Sequence, residues 1–498
     1  MATRIADVIL KAASLVLYGF WCYLVGRHGW DSLYLVPLIL IAGLLATLRL
    51  HPIFRVNAVL VGMALCISAY LSEFVLAVED DLAPVQSRMQ WLPFQSGEEY
   101  ADARALAASP SGISFDRRSR LQVLNDLRAK NIDAWPAIAP QFLFKGWPNS
   151  YEDPVIEIDG APALPLGGVS NTTTVYCNEN GYYVIYESDE HGFENPKGLW
   201  STPDPLDVAV IGDSYAHGAC VKTETNFASL IRQRYPKTLN LGGDGNGPFL
   251  ELAALKEYVP PLRPRVVLWF YFEMNDMGEL LKEKKTFLTK YLTPGFTQGL
   301  IGKQGEIDRA LKRHVDRTLE NFTLRSKLVL FSEHLRDPLS HSDEFEALIK
   351  MSHLRKAAEQ VLVRFSQGSK GEAQALAPLA ALSRDDLDLF AKTVSQAKST
   401  VSQWGGTLVF VYLPQYERYA KPEFVNKDRE QVLRIVRDLD LPLIDLHPRF
   451  QAQADPLSLF PFRRRGHYNE EGHRVVAEEV LNFLHDMHLE PSKKNNPT

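Results

Sequence analysis

The stretch VIGDSYAHG, residues 210–218, carries a serine directly after an apolar run. A serine in this position is either a turn or helix-capping residue or a nucleophile. A nucleophilic Ser214 needs a base to take its proton and hydrogen-bond donors to hold an oxyanion. Residues of the required types follow along the chain: the glycine-rich stretch at 240–248, Asn275 and His467. These residue types favour acyl transfer through a serine.

Five short apolar runs alternate with amphipathic helical stretches from residue 206 onwards. Alternation of this kind predicts an α/β fold with a parallel sheet. Binding and catalytic residues of such sheets lie beyond the carboxyl ends of the strands, and the chemically interesting residues follow these runs. The five runs are LDVAVI, TLNLG, RVVLWFYF, GTLVFVYL and LPLIDL.

The four blocks that carry Ser, Gly, Asn and His stand in the order found in the SGNH hydrolases, or GDSL-type esterases. The chain resembles that family over most of residues 205–487. The resemblance implies a flavodoxin-like parallel sheet with helices on both faces. It also implies roles for four residues. Ser214 is the nucleophile, Gly245 offers a backbone N–H to the oxyanion, Asn275 offers a side-chain donor, and His467 is the base. Gly243 takes the role of Gly245 if the loop register differs.

The sequence departs from the family pattern beside the histidine. The family has Asp three residues before this His, where the chain has Arg464. Three explanations stay open: a Ser–His dyad oriented by a backbone carbonyl, an orienting role for Asp445, or an impaired enzyme. His473 is a rival base, and His217 is expected to line the pocket.

Three arginines, 463–465, precede the predicted base. Arginine binds carboxylate or phosphate through two parallel hydrogen bonds, so Arg464 is a candidate for binding an acidic glycan. The structural alternative is that these arginines pair with local acids such as Glu470 and Glu471.

Three apolar runs before residue 80, at 12–26, 33–48 and 56–72, predict a membrane anchor over residues 1–79. The alternatives are buried core helices or a signal peptide followed by core. Arg4, Lys11, Arg49 and Arg55 place the N-terminus in the cytoplasm by the positive-inside rule. The rest of the chain then lies in the periplasm of a bacterium, anchored to the inner membrane.

The exported part contains two of the four cysteines, Cys177 and Cys220. Because that compartment is oxidising, the two are expected to form a disulfide, and the alternative is a pair of buried thiols. The bond would tie the segment around Cys177 to the predicted nucleophile turn.

The sequence divides the exported part into three regions. Residues 80–205 form a pre-domain segment with a β-hairpin around Asn180 and Gly181. The hydrolase-like domain covers 206–487 and includes a helical insertion at about 277–404, expected to act as a lid or to form a peripheral bundle. Residues 488–498 are expected to be disordered.

The resemblance and the residues together predict a serine ester hydrolase or O-acyltransferase that works through an acyl-Ser214 intermediate. The expected substrate is an O-acetyl group on a cell-envelope glycan, with an acyl-donating membrane protein as a candidate partner. No cofactor or metal is implied, and a formal net charge of −6 gives no indication of nucleic-acid binding. The alternative is a catalytically silent SGNH-fold protein that binds glycan or acts as a scaffold in a surface-polysaccharide pathway.

Overall fold

The computed structural model describes residues 2–28, 35–62, 64, 68, 108–109, 112–147, 150–320, 382–426 and 428–491. The chain divides into two compact units, one of residues 1–83 and 329–373, the other of residues 84–328 and 374–498. The predicted disordered tail beyond residue 491, the centre of the predicted insertion and most of the third apolar run lie outside the described residues.

Ten strands occur among the described residues: β1 (Ala134–Pro136), β2 (Glu157–Ile158), β3 (Ala161–Pro162), β4 (Thr173–Val175), β5 (Ile185–Glu187), β6 (Val208–Ile211), β7 (Thr238–Asn240), β8 (Val266–Phe272), β9 (Thr407–Leu413) and β10 (Leu443–Asp445).

The α-helices with both ends described are α1 (Ala2–His28), α2 (Leu35–Thr47), α3 (Arg120–Arg128), α4 (Ser214–His217), α5 (Phe227–Arg234), α6 (Pro248–Tyr258), α7 (Asp276–Glu283), α8 (Gln304–Glu320), α9 (Arg384–Ser402), α10 (Glu417–Ala420), α11 (Arg429–Asp438), α12 (His447–Gln451) and α13 (Glu470–Asp486). Short 3₁₀ segments lie at Pro140–Leu143, Leu199–Ser201, Thr223–Thr225, Phe287–Leu292, Leu300–Gly302, Pro456–Leu459 and Pro461–Arg463.

Five strands form one parallel sheet in the spatial order β10-β9-β8-β6-β7. The prediction of an α/β fold with a parallel sheet is therefore confirmed. Counted from β6, the order is 2-1-3-4-5, which is the flavodoxin-like arrangement. The chain changes direction across the sheet between β6 and β8, and the carboxyl ends of these two neighbours are where such sheets place their sites. Ser214 follows β6 and Asn275 follows β8.

Helices cover both faces of this sheet, because every residue of β8 is buried and alternate residues point to opposite faces. Trp269 and Tyr271 belong to a core cluster that includes residues of α6 and α9. Leu268 and Phe270 belong to a second cluster that includes residues of α5 and α13. The continuous apolar run of this strand is thus explained by burial on both sides.

Helix α9, which lies within the insertion predicted at about 277–404, belongs to the covering layer of the sheet. Its residues Phe390, Val394, Ala397 and Val401 are all fully buried in the first core cluster. The ring of Phe390 lies 5.6 Å from that of Tyr271 on β8. A helix packed in this way is expected to stabilise the sheet, and the extent of the insertion stays a prediction.

The pre-domain segment contains the hairpin at the predicted position. Strands β4 and β5 pair antiparallel, and β1 pairs parallel with β4 to give a three-stranded sheet. The turn holds Gly181 at φ +99°, a conformation that favours glycine, and its N–H donates to Asn178 Oδ1 at 2.9 Å.

In the N-terminal unit, α1 and α2 are followed by helical residues 52–62. Ala6, Leu10 and Val59 are buried together, and Arg55 pairs with Asp7 at 2.8 Å. Within the described part of the chain, we find no helix that combines the length and the apolar character needed to span a membrane. The predicted transmembrane helices thus have no support from the described residues.

Candidate active site

The turn between β6 and α4 presents Ser214. Asp213 caps the helix by accepting the Tyr215 N–H at 2.9 Å, which leaves Ser214 as the first helical residue. A Cβ atom at Gly212 would lie 2.9 Å from the carbonyl oxygen of Phe270 and 2.7 Å from Ala216 Cβ. The turn therefore requires glycine at this position. Because Asp213 is the capping residue, capping does not account for a serine at position 214.

The side chain of His467 contacts the serine. Its Nε2 lies 2.9 Å from Ser214 Oγ. The imidazole packs beside the ring of Tyr215 at a centroid distance of 4.9 Å, and the Tyr215 hydroxyl donates to Gly466 O at 3.2 Å. Two contacts thus fix the loop that carries the histidine over the nucleophile turn.

Glu179 stands on the other side of the imidazole. Its Oε1 lies 3.2 Å from His467 Nδ1, and its Oε2 accepts the His467 backbone N–H at 2.7 Å. An ionised carboxylate only accepts hydrogen bonds, so Nδ1 carries the ring proton and Nε2 is left to accept from the serine hydroxyl. Ser214, His467 and Glu179 thus have the arrangement of a catalytic triad.

Asp445, the acid suggested by the sequence, has other partners. Its carboxylate pairs with Arg429 and accepts the His447 N–H at 3.1 Å. The expectation that Asp445 orients the imidazole is therefore wrong: strand β10 directs its carboxylate to Arg429, and Glu179 fills the orienting position.

Sequence reasoning missed Glu179 because it lies in the pre-domain hairpin, 288 residues before His467. A signal for it was nonetheless present. Cys177 and Cys220 form a disulfide with Cα atoms 5.1 Å apart. A bond between these cysteines brings the residues just after Cys177 to the nucleophile turn, and Glu179 is the acid among them.

The electrostatic surroundings of His467 favour its protonated form. Burial lowers the pKa of its imidazole, but the nearby carboxylates of Glu179, Asp244 and Asp213 outweigh that effect and leave the pKa above its ordinary value. For the carboxyl of Asp213, burial has the opposite effect and raises the pKa to about 6, although the hydrogen bond from Tyr215 N opposes the shift. A raised imidazole pKa is useful for a residue that acts first as base and then as acid.

Asn275 lies at the amino end of α7, where its side chain makes no capping hydrogen bond. Its Nδ2 donates to Asp213 Oδ2 at 3.3 Å, and the residue lines the same cavity as Ser214. An amide nitrogen has two hydrogens, so one remains for a ligand in the cavity. The first N–H groups of a helix also lack intrahelical partners, which makes the Ser214 N–H a second donor.

The predicted glycine donors do not line this cavity. Gly245 adopts φ +67°, and a Cβ atom there would overlap the side-chain nitrogen of Gln141. Gly243 donates its N–H to Gly212 O at 3.1 Å. Neither glycine is among the residues that line the cavity, and Gln141 lies against the Cα of Gly245, so the oxyanion role expected for Gly245 stays a prediction.

The cavity beside Ser214 has a volume of about 180 Å³. Aromatic and apolar side chains line it together with polar and charged ones, among which Arg465 Nε and Glu417 Oε1 form an ion pair at 2.8 Å. Besides the residues already placed, it is lined by Phe272, Met274, Tyr416, Glu417, Arg465 and Gly466.

The three arginines before His467 have different surroundings. Arg463 pairs with Asp455, Arg464 is exposed and does not line the cavity, and Arg465 does line it. The local acids named as alternative partners are engaged elsewhere, Glu470 by Tyr182 and Glu471 by Arg474. The structure thus places Arg465, and not Arg464, where it can meet a ligand.

The two other histidines near the site have separate roles. His473 is fully buried, and its Nδ1 accepts the Phe227 N–H at 3.2 Å. His217 stacks on Tyr176 with ring centroids 4.3 Å apart and lines a neighbouring cavity of about 30 Å³. The ring that contacts Ser214 is that of His467.

Among the described residues, one set of side chains has metal-ligand spacing: Glu179, Cys220 and His467, whose ligand atoms lie within 4.8 Å of one another. Metals bind the cysteine thiolate. Because the Cys220 sulfur is bonded to Cys177, this set does not fit a metal ion.

Comparison with family models gives no match, and no curated protein matches the chain. Among solved structures, a two-domain esterase active on acetylated mannans is similar at 13% identity and a TM-score of 0.30, covering 59% of this chain and 53% of its own. This chain therefore spans about half the length of that esterase. An α/β hydrolase enzyme from the metagenome of Lake Arreo, Spain, is 12% identical with a TM-score of 0.30, covering 59% of this chain and all of its own.

An acetyl xylan esterase is similar at 13% identity and a TM-score of 0.29, over 56% of this chain and 100% of its own. Likenesses at this level establish no common family. The geometry around Ser214 therefore carries the functional conclusion.

Proposed function

We propose that this protein is a serine ester hydrolase or O-acyltransferase that works through an acyl-Ser214 intermediate. The observation that carries the proposal is the continuous hydrogen-bond chain from Ser214 Oγ to His467 Nε2 at 2.9 Å and from His467 Nδ1 to Glu179 Oε1 at 3.2 Å. These two hydrogen bonds argue against the alternative of a catalytically silent scaffold, which rests on the absence of an acid at position 464.

The reaction begins when Ser214 Oγ attacks the ester carbonyl while His467 takes the serine proton. Asn275 Nδ2 and the Ser214 N–H then stabilise the oxyanion of the tetrahedral intermediate. His467 returns the proton to the leaving alcohol, which leaves the acyl group on Ser214. Water or a second hydroxyl, deprotonated by His467, attacks the acyl-enzyme and restores the serine.

The acyl group is proposed to be small, since the cavity beside Ser214 measures about 180 Å³. An acetyl ester suits this space. Its carrier is proposed to be a cell-envelope glycan, with the chain anchored in a bacterial inner membrane and the site on the periplasmic side. The sequence-based support for that location is the charge distribution around the N-terminal apolar runs.

Turnover of acetylated oligosaccharides by the purified full-length chain tests the proposal. Ser214→Ala and His467→Ala should each nearly abolish acetate release, and the double variant should be little worse, because the two residues act as one unit. Full activity in either single variant would refute it. Adding a deacetylated oligosaccharide separates the two reaction types: a transferase acetylates it, whereas a hydrolase releases acetate only.

A further inference from the structure

The orienting acid comes from outside the sheet that positions the nucleophile. Ser214 and Asn275 follow strands of the parallel sheet, whereas Glu179 lies on the hairpin loop between β4 and β5. A loop residue needs supporting contacts to hold a carboxylate within hydrogen-bond reach of an imidazole. The question is which contacts supply that support.

The strongest tie is the disulfide between Cys177 and Cys220. Cys177 lies two residues before Glu179, and Cys220 lies six residues after Ser214. The Cys220 sulfur, a Glu179 carboxylate oxygen and a His467 ring nitrogen lie within 4.8 Å of one another. The bond therefore lies directly against the acid and the base, at the junction between hairpin and nucleophile turn.

A hydrogen bond and a ring contact also join the hairpin to the nucleophile turn. Asn180, the residue after Glu179, donates from Nδ2 to Cys220 O at 2.9 Å. Tyr176, the residue before Cys177, stacks on His217 of α4. The two residues that flank the Cys177–Glu179 stretch thus also contact the segment that begins at Ser214.

We propose that the Cys177–Cys220 disulfide is a positioning element of the catalytic triad, which holds Glu179 against His467. The proposal rests on the function proposed above. It predicts that full turnover requires the bond and that the enzyme is therefore suited to an oxidising compartment. The cysteines themselves touch neither substrate nor reacting atoms.

Reduction should reverse the effect of the bond. A dithiol such as dithiothreitol gives two electrons and two protons, the sulfur–sulfur bond breaks, and Cys177 and Cys220 become thiols while the reductant closes to its own cyclic disulfide. Turnover should fall on reduction and recover on reoxidation. Cys22→Ser/Cys66→Ser is the matched control, since it removes the other two cysteines and should keep the same sensitivity to the reductant.

A double-mutant cycle on p-nitrophenyl acetate tests whether the bond acts through Glu179. The double variant Cys177→Ser/Cys220→Ser, which lacks the disulfide, should lower kcat about tenfold or more when Glu179 is present. In a Glu179→Gln background the same change should lower kcat less than about twofold. The acid limb of the kcat/KM profile should also move to lower pH when the bond is lost. A purely structural role of the disulfide would not produce that shift.

Each outcome decides one point. Equal fold losses in both backgrounds, or full turnover of the reduced wild type, would overturn the positioning role. Full turnover of Glu179→Gln with its disulfide intact would instead refute the triad of the proposed function. If the double serine variant does not fold, wild type and Glu179→Gln are compared before and after reduction, and equal losses again overturn the proposal.

Discussion

In the proposed mechanism, His467 and Glu179 together set the pH range in which Ser214 can lose its proton. Burial lowers the pKa of the imidazole, but the carboxylates of Glu179, Asp244 and Asp213 raise it above its ordinary value. The proposed base works only when it is neutral, so activity should rise as pH increases through this raised pKa. Burial also lowers the pKa of two further histidines near the site, His217 to about 4 and His473 to about 3, so that both are neutral at physiological pH.

Glu179→Gln should therefore change both rate and pH dependence. Losing the carboxylate lowers the pKa of His467 and moves the acid limb of the kcat/KM profile to lower pH. The amide also disturbs the ring tautomer, and kcat should drop roughly 10²- to 10⁴-fold. Steady-state kinetics across pH measures both effects. Asp445→Asn is the matched control, because that carboxylate pairs with Arg429, and its profile should keep the wild-type midpoint.

Substrate charge should be read by Arg465 in preference to Arg464. Arg465 lines the cavity and pairs with Glu417, whereas Arg464 is exposed beside it. Because Arg465 is half exposed, its contribution is modest: Arg465→Ala should raise KM about two- to fivefold for an acetylated glycan that carries carboxylates. Added salt should reduce the difference by screening.

A small neutral acetyl ester provides the comparison for that variant, and Arg464→Ala provides the matched arginine control. Arg465→Ala should keep the wild-type KM for the neutral ester, and Arg464→Ala should keep the wild-type KM for the charged glycan. An equal loss with the neutral ester would mean that Arg465 holds the loop before His467, and charge reading would then have to be abandoned.

Some of the site could be predicted from the sequence because the chain order of its residues follows the strand order. Ser214 and Asn275 directly follow strands β6 and β8, so local pattern indicates their edge of the sheet. Glu179 could not be found in this way, since its role depends on a contact between distant segments. The contact between Gly245 and Gln141 could not be found in this way either, since it also joins distant segments.

At the scale of elements, each of the five predicted sheet strands falls within its apolar run, because strands buried on both faces read as continuous hydrophobic stretches. Helix α9 was harder to place. Its amphipathic pattern indicates a helix, but the pattern alone does not say which surface the apolar face covers. The structure supplies that surface, the face of the sheet that contains Tyr271 and Phe410.

Phe390→Ala should reveal α9 as a structural helix of the sheet layer. The side chain is fully buried against Tyr271 and Phe410, so its loss should reduce the free energy of unfolding by about 3–5 kcal/mol. Denaturant unfolding measures this. Lys392→Ala, at an exposed position of the same helix, should change it by less than about 0.5 kcal/mol. A large rise in KM with unchanged stability would instead indicate a lid.

At the scale of the whole molecule, the site joins the pre-domain segment to the sheet within one compact unit. The proposed catalytic residues thus come from both sides of the boundary predicted at residue 205: the proposed acid lies before it, and the proposed nucleophile and base lie after it. The hairpin loop that carries Glu179 is in this sense part of the proposed active site and not only a connection to it.

Orientation at a membrane is the remaining whole-molecule prediction. The basic residues around the first three apolar runs predict a cytoplasmic N-terminus and an exported C-terminus. A periplasmic alkaline phosphatase reporter fused after residue 498 should be active, and one fused in the loop at 49–55 should be inactive. The reverse pattern would contradict both the proposed location and the periplasmic glycan.

Trapping the acyl-enzyme tests the central claim most directly. The purified full-length chain is mixed with p-nitrophenyl acetate, quenched in acid within the first turnover and digested, and the peptide containing Ser214 is examined by mass spectrometry. The proposed mechanism predicts one acetyl group on Ser214, formed slowly in Glu179→Gln and absent in Ser214→Ala. Turnover without acetylation of Ser214, or acetylation at another residue that survives Ser214→Ala, would contradict it.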